Sequence, residues 1–586
     1  MKKTLCMILS VLMLLCSCAF SEALPEQTLF IPGTYEAEEQ GVFSPVRVTV
    51  EVTENEIVSV KVDASGETPA LGGVAAESLS LKILQAQTPN VDVVAGATIT
   101  SEAIVRAATV ALKEAGADID VLDEFRRDKK DADAPKEEIT IEANIVIVGA
   151  GGAGMTAAIM AKLAGKNVVV LEKMPYAGGN TTKATGGMNA AETHYQKEQG
   201  IVDSKALFAA DTMKGGHALN DSALVAELAN SSADAIDWLD TIGAPLPKIS
   251  FSGGASVNRI HAPEDGSGVG DYLVDRFSAK CKELGIEIMY NTTATTLLTD
   301  GDGKISGVEA EGTDAHYVFR TRAVILATGG FGANEDMYTQ YRPDLKGTVT
   351  TNAPGATGDG IIMAQALGAD LVDIEQIQLH PTVEQTTSIL ITESVRGDGA
   401  ILVNQSGVRF VNELLTRDAV SAAELSQEGQ YAYIIFDQNL RDHLKAIEKY
   451  VKSGIVVQGE TVEELAVNLG IDPAVLSKTV SDWNGYVKDQ HDPDFGRTTG
   501  MNADLSTAPY YAIKIAPGIH HTMGGIKINT SAEVINTHGD AIPGLFAAGE
   551  VTGGVHGGNR LGGNAVADIV IFGRIAAESA MTYIEK

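Results

Sequence analysis

Cysteine is nearly absent from the body of this 586-residue chain. Cys6, Cys16 and Cys18 fall within the first eighteen residues, and Cys281 stands alone beyond them. If the N-terminal segment is processed off, no intrachain disulfide can form. No C-x-x-C-H run occurs, which excludes c-type haem attachment, and no Cys/His cluster has zinc spacing. Basic residues are also scarce: 44 Lys plus Arg stand against 77 Asp plus Glu, for a formal net charge of -33. Such a surface repels nucleic acid and anionic lipid, so neither is expected as a partner. Long apolar runs are missing too, except in the first twenty residues. Glycine, by contrast, is abundant at 61 residues, above the usual share of about 7%. With 44% hydrophobic and 21% charged residues, the composition is that of a folded protein of about three or four domains.

The N-terminus has the layout of an export signal. Lys2 and Lys3 precede an apolar run from Leu5 to Leu15, followed by small residues. That run is too short to span a membrane comfortably. Leu15-Cys16-Ser17-Cys18 is similar to a lipobox, which would make Cys18 a lipidated first residue; ordinary cleavage near Ala23 is the other outcome. No twin-Arg pair is present. An exported protein, at the cell surface, extracellular or periplasmic, is expected.

Residues 28–118 form a small module. Val46, Val48, Val50 and Val52 alternate with polar residues, the period-2 pattern of a half-buried strand. Glu54-Asn55 makes a turn, and Ile57 to Val62 completes a hairpin. A helix is expected over about 75–86, then Val91 to Val94, then Ala95-Gly96-Ala97-Thr98-Ile99-Thr100-Ser101, and a helix from about Glu102 to Ala115. Gly and Ala at such a strand-to-helix turn allow close approach of a phosphate, whose charge a helix N-terminus stabilises. A Thr-rich helix cap at Thr100 or Ser101 would give the same letters. From Asp118 to Glu138 the chain is dense in charge and poor in apolar residues, as expected of an exposed linker (119–140).

Ile145 to Val148 is a buried strand running into Gly149-Ala150-Gly151-Gly152-Ala153-Gly154, then a helix from about Met155 to Ala164. A second strand, Val168 to Leu171, ends at Glu172. This is the dinucleotide fingerprint in its required setting. Gly149, Gly151 and Gly154 permit the turn and the approach of a pyrophosphate, and Glu172 is placed to take a ribose hydroxyl. Further Gly-rich loops favour FAD over NAD: Gly178-Gly179-Asn180-Thr181-Thr182 and Gly186-Gly187-Met188-Asn189. The strand from Ala323 to Ala327 enters Thr328-Gly329-Gly330, and Gly544 to Ala548 leads to Glu550, a carboxylate suited to the ribityl chain.

Two resemblances organise these observations. The 92–98 segment resembles the covalent FMN-binding module, whose D-x-x-S/T-G-A-T pattern carries FMN on its Thr through a phosphoester. Asp92, Gly96, Ala97 and Thr98 match, with Ala95 in place of Ser or Thr. Residues 141–586 resemble the soluble (flavocytochrome c-type) fumarate reductase flavoprotein family. The motifs are DTMKGG at 211–216, GGASVNR at 253–259, NAPGATGDG (with Asp359) at 352–360 and LHPT at 379–382. They continue with ITESVRGDG at 391–399, RFVNELLTRD at 409–418, HHTMGG at 520–525 and GEVTGGVHGGNRLGGNA at 549–565.

The resemblance implies an α/β architecture: a Rossmann-like FAD domain in two parts, 141–374 and 516–586, split by an α+β cap at 375–515, with a small α+β FMN domain ahead. It implies non-covalent FAD, covalent FMN on Thr98, a flavin transferase to attach it and an external electron donor. One substrate carboxylate would meet Arg560 and His520, the other His380 and Thr392. Held at both ends, the double bond would lie over flavin N5, reduced FAD would deliver hydride, and Arg417 would supply the proton. Glu393 and Arg396 would relay protons to Arg417. Arginine rarely gives up a proton, and three arginines about one carboxylate are sensible near bound anions. His217 and His556 are expected to be structural. The expected reaction is reduction of the C=C bond of an unsaturated carboxylate, fumarate to succinate first. Other enoates (urocanate, acrylate, cinnamate) are the alternative. A dehydrogenase or oxidase of the same flavin superfamily and a non-catalytic exported flavin electron carrier are the rivals.

Overall fold

The computed structural model describes residues 28–67, 72–94, 97–124, 136–251, 253–313 and 315–586. The expected export signal and Cys18 lie outside the described residues, as do Ala95 and Gly96. Contacts divide the chain into two compact units. One holds the described residues up to Glu67 and from Ala75 to Glu124; the other holds those from Lys136 onward. No helix among the described residues is long and apolar enough to cross a membrane.

The small unit is a three-stranded antiparallel sheet, Gly33–Gln40, Pro45–Val52 and Ile57–Asp63, in that order. The alternating valines of the central strand are all buried, each worth about 1.5–3 kcal/mol on transfer from water. The edge strand Gly33–Gln40 has no such signature. Its inward positions, Tyr35, Ala37 and Glu39, are only half-buried, and its glutamates are poor strand formers. Helix Val74–Ala86 stands where the sequence placed it. The following helix is Thr98–Glu114, four residues longer at its start than expected. Thr100 and Ser101 are therefore not caps. They lie in the first turn and are buried.

The 119–140 linker is shorter than expected. Ile119–Glu124 is helical, and Glu137–Glu142 is a strand pairing in parallel with Ala315–Arg320. Ile139 and Ile141 alternate with exposed polar residues, a period-2 signal masked by the surrounding charge.

In the large unit a six-stranded sheet runs Glu287–Met289, Val168–Leu171, Ile145–Val148, Ala323–Leu326, Ala541–Ala547, Glu533–Ile535. All neighbours are parallel except the last pair. Its central strands are uniformly buried and apolar, as parallel strands covered on both faces require. Helix Gly152–Leu163, three residues longer at its start than expected, packs beside the C-terminal helix Asn564–Ile584. A Cβ on Gly573 would lie 2.8 Å from the Ala153 carbonyl oxygen, so only glycine lets these helices approach so closely.

A second, five-stranded sheet is built around the long strand Tyr510–Thr522. That strand crosses residue 515, where the sequence placed the end of the cap, without a break. Alternate residues of its partner Ala432–Asp437 feed two separate cores. Ile434 and Phe436 pack with Val395 and Ile513, and Tyr433 and Ile435 with Trp483 and Ala512. The edge strand Ile377–Val383 pairs antiparallel with Tyr510–Thr522, with Gln378 opposite His521 and His380 opposite Gly518.

Candidate active site

The strand ends of the six-stranded sheet converge on a cavity whose walls include Val148, Leu171, Ala327 and Ala548. Gly149, Gly151, Glu172, Asn180, Thr181, Asp359 and Glu550 all line it. Gly149 has φ of +104°, and a Cβ there would lie 2.4 Å from the Ala327 carbonyl oxygen. A Cβ on Gly151 would have no neighbour nearer than 3.8 Å, so the missing side chain leaves the backbone open to a ligand. Gly154 plays a packing role instead: its Cβ would collide with the Gly149 carbonyl.

Glu172 is buried and accepts from Ala150 N (2.8 Å) and Met174 N (2.9 Å). Burial raises its pKa against those two amides. Thr181 Oγ1 accepts from Gly152 N at 3.0 Å. Asn180 donates to Glu550 at 2.9 Å, and Thr522 N donates to the other Glu550 oxygen at 3.0 Å. Lys173, which sequence reasoning missed, reaches Asp359 at 2.5 Å from the cavity wall. Thr328 Oγ1, also on the wall, is buried with no protein partner. An open glycine backbone, a helix N-terminus and an unpartnered hydroxyl in one cavity fit a dinucleotide such as FAD. Gly186 and Gly187 are not part of this lining. Gly187 instead admits the His261 carbonyl, to which a Cβ would come within 2.3 Å.

Beside the five-stranded sheet, four elements bring the remaining expected residues together. His380 lies on Ile377–Val383; Glu393 and Arg396 lie on the short helix Glu393–Gly397, which Thr392 precedes. Arg417 opens helix Arg417–Leu425, and His520 lies near the end of the long strand. Arg560 arrives on the loop ahead of the C-terminal helix. Arg417 grips Glu393 with two donors, Nε at 2.8 Å and Nη2 at 3.2 Å. Burial pulls the Glu393 pKa up, but Arg417, Arg396 and Arg560 outweigh it and hold the group at about 2. Arg396 is buried; it donates to the Glu413 carbonyl at 2.6 Å and lies 3.8 Å from Glu393. Arg560 is also buried, and burial followed by the neighbouring Arg417 lowers its pKa to about 9.

The rings of His380 and His520 meet edge to face, 5.2 Å between centroids. Burial first, then the nearby arginines, hold both well below the ordinary imidazole value. His520 Nδ1 bonds Thr351 Oγ1 at 2.8 Å. Thr392 makes no capping bond with its side chain; its backbone N–H donates to the Tyr450 hydroxyl at 2.9 Å, which fixes its place. His217 and His556 pair with Asp418 (3.0 Å) and Asp568 (3.1 Å) and stay outside this cluster.

Gln378 is a further residue that sequence reasoning missed. Its Oε1 accepts from Arg417 Nη1 at 2.8 Å and from Arg560 Nη2 at 3.1 Å. Its Nε2 donates to Asn559 and to the Arg560 carbonyl. One neutral side chain thus ties together two cations that would otherwise repel. The signal was its place two residues before His380 on a strand, hence on the same face. Glu424, on the Arg417 helix, was also missed. It is fully buried, neither carboxylate oxygen has a partner, and burial pushes its pKa well above the carboxylate range. Cys281 is buried, its thiol pushed up to about 12 by burial and therefore inert.

In the small unit, Thr98 is the first residue of its helix and is exposed, next to Ile99 (44% exposed) and near Val93 (40%). The N–H groups of Thr98, Ile99 and Thr100 have no partner among the described residues. An exposed hydroxyl, three amides without a partner among the described residues and exposed apolar side chains fit a flavin phosphate and its ring.

Comparison with known proteins finds both cofactor-binding domains. The FAD binding domain family matches residues 144–566, and the FMN-binding domain family matches residues 41–113. The chain is 44% identical over 552 residues to an NADH:fumarate oxidoreductase of Klebsiella pneumoniae, covering 94% of this chain but 58% of that relative's length. It is 38% identical to a urocanate reductase of Eggerthella lenta, covering 91% of this chain and 90% of the relative. Among solved structures, the open conformation of a flavocytochrome c3 fumarate reductase matches with 46% identity and a TM-score of 0.68, over 78% of this chain and 80% of that one. The chain belongs to the flavocytochrome c-type fumarate reductase family of FAD-dependent oxidoreductases, and carries an FMN-binding domain ahead of the FAD-binding one.

Proposed function

We propose that this protein reduces the C=C bond of an α,β-unsaturated carboxylate, with fumarate the preferred substrate and succinate the product. The observation that carries this is the convergence of Arg417, Arg560, His380 and His520, with Glu393 bonded to Arg417 and Arg396 beside Glu393. Arg560 and His520 bind one carboxylate, the planar guanidinium offering two donors. His380 and the Thr392 hydroxyl bind the other. FAD held by the cavity described above would, once reduced, supply hydride to one alkene carbon.

Arg417 donates the proton to the other carbon. A charged guanidinium is a poor acid, but its neutral form is a very strong base that must be reprotonated at once. Glu393 is bonded to it and provides the route. Its low pKa depends on the Arg417 charge. Glu393 lies 3.8 Å from Arg396 and holds Arg417 through two donors, so it is placed to pass a proton from the Arg396 side back to Arg417.

Electrons are proposed to come from an external donor through FMN on Thr98, placed there by a flavin transferase. The chain is proposed to act after export, on the strength of its first 23 residues.

Anaerobic kinetics with reduced viologen and a panel of fumarate, urocanate, acrylate and cinnamate test the reading. Fumarate is expected to show the highest kcat/KM. A preference for acrylate would mean that the His380–Thr392 end is idle, and no turnover with any of the four would reject enoate reduction.

A further inference from the structure

Glu67 is a buried carboxylate in the small unit, 5% exposed, and the chemistry above does not use it. It makes four hydrogen bonds. Its Oε1 accepts from Phe43 N (2.8 Å), Ser44 N (2.9 Å) and Ser44 Oγ (3.4 Å). Its Oε2 accepts from Thr100 Oγ1 at 2.7 Å. Glu67 therefore bolts the first turn of helix Thr98–Glu114 to the Phe43–Ser44 turn. A second tie acts on the same turn: Ser101 Oγ accepts from Val94 N at 3.1 Å, and Ala97 N donates to the Val94 carbonyl at 3.0 Å.

The helical screw gives these ties a consequence. Successive residues are about 100° apart around the axis, so Thr98 and Thr100 point to nearly opposite sides. Pinning Thr100 inward, where it is 3% exposed, turns Thr98 outward. The pin uses the Thr100 hydroxyl and none of the first-turn N–H groups, so it leaves the amides of Thr98, Ile99 and Thr100, which have no partner among the described residues, to a phosphate. A negative group near a helix N-terminus is also favourably placed.

We propose that Glu67 is a positioning residue for flavin attachment, fixing the first helical turn so that the Thr98 hydroxyl and the three first-turn amides are presented together to the incoming flavin phosphate. This rests on the reading of Thr98 as the FMN acceptor. In that reaction the Thr98 Oγ–P bond forms and the pyrophosphate bond of a flavin adenine dinucleotide donor breaks. AMP leaves, and the hydroxyl proton passes to the transferase; no group is oxidised or reduced.

The test uses the full chain, a flavin transferase and FAD, with intact-mass and peptide mapping to follow the FMN increment over time. Wild type should label on Thr98, and T98A should not. T100V removes the pin at constant volume and should label at least tenfold more slowly, with an unchanged far-UV circular dichroism spectrum; E67A should slow labelling likewise. T100S, which keeps the hydroxyl, and E67Q, whose amide can accept from the turn and donate to Thr100, should label at close to the wild-type rate. Labelling of folded T100V at the wild-type rate overturns the proposal. So does an unfolded T100V, because the contact would then be a folding requirement. Failure of the wild type to label on Thr98 would instead reject the acceptor reading.

Discussion

Replacing Gln378 with Met tests whether Arg417 and Arg560, the two arginines proposed to meet substrate, are held by one neutral bridge. The side chains are close in volume, but Met cannot accept the bonds from Arg417 (2.8 Å) and Arg560 (3.1 Å). Each is a hydrogen bond to a charged group, worth about 1.5–3 kcal/mol. Two lost bonds set an upper bound of about 3–6 kcal/mol, part of which water and the substrate carboxylate recover. Arg417 keeps its two donors on Glu393, so it stays in the site but loses the contact that sets its tilt. A displacement of about 1 Å at a proton donor costs roughly a hundredfold, equivalent to about 2.7 kcal/mol of transition-state stabilisation. The Q378M enzyme should therefore show kcat/KM with fumarate about a hundredfold below wild type. The loss should be shared between a lower kcat, through Arg417, and a higher KM, through Arg560. Anaerobic stopped-flow oxidation of reduced viologen measures both. Parameters within threefold of wild type, at equal FAD content, would refute the bridging role.

Other outcomes follow from the same geometry. Arg560 must be charged to bind a carboxylate, and its pKa in the free enzyme is about 9; kcat/KM should fall as pH rises through about 9, and a profile flat to pH 10 would contradict this. Glu424 has a raised folded pKa, so the native state holds its proton where the unfolded chain, near pH 4.3, releases it. Wild-type stability should then decline as pH rises above that value. E424Q should flatten the decline in denaturant unfolding followed from pH 5 to 8, and a parallel slope in the mutant would count against a protonated Glu424. Glu550→Ala removes the acceptor for Asn180 and Thr522 N. It should weaken FAD retention on gel filtration while FMN on Thr98 is unaffected; unchanged FAD occupancy would remove Glu550 from the cofactor site.

Much of this was legible in the sequence because the signals were local. The valine alternation at 46–52, the apolar strands at 145–148 and 168–171 and the glycines at 149, 151 and 154 depend on a few adjacent residues. The relay was legible through the resemblance, since Glu393, Arg396 and Arg417 are unremarkable singly. Gln378 escaped because its meaning comes from two arginines that lie 39 and 182 residues away. Glu67 escaped for the same reason, since its partners are 23 to 33 residues away on a turn and a helix. At Gly187 the missing Cβ makes room for the His261 carbonyl of the chain itself, a packing need that a glycine in the sequence does not announce. The strand at 33–40 was hidden by its composition: an edge strand with half-buried alternate positions needs little hydrophobic pattern.

The central claim is that Arg417 delivers a proton to the substrate. The most direct measurement is the anaerobic turnover of R417A with fumarate, taken alongside its FAD stoichiometry and its rate of flavin reduction by viologen. Loss of a positioned general acid should lower turnover by about 10²–10⁴-fold, with FAD bound and reduced as in wild type. Turnover within tenfold of wild type would show that the proton comes from elsewhere.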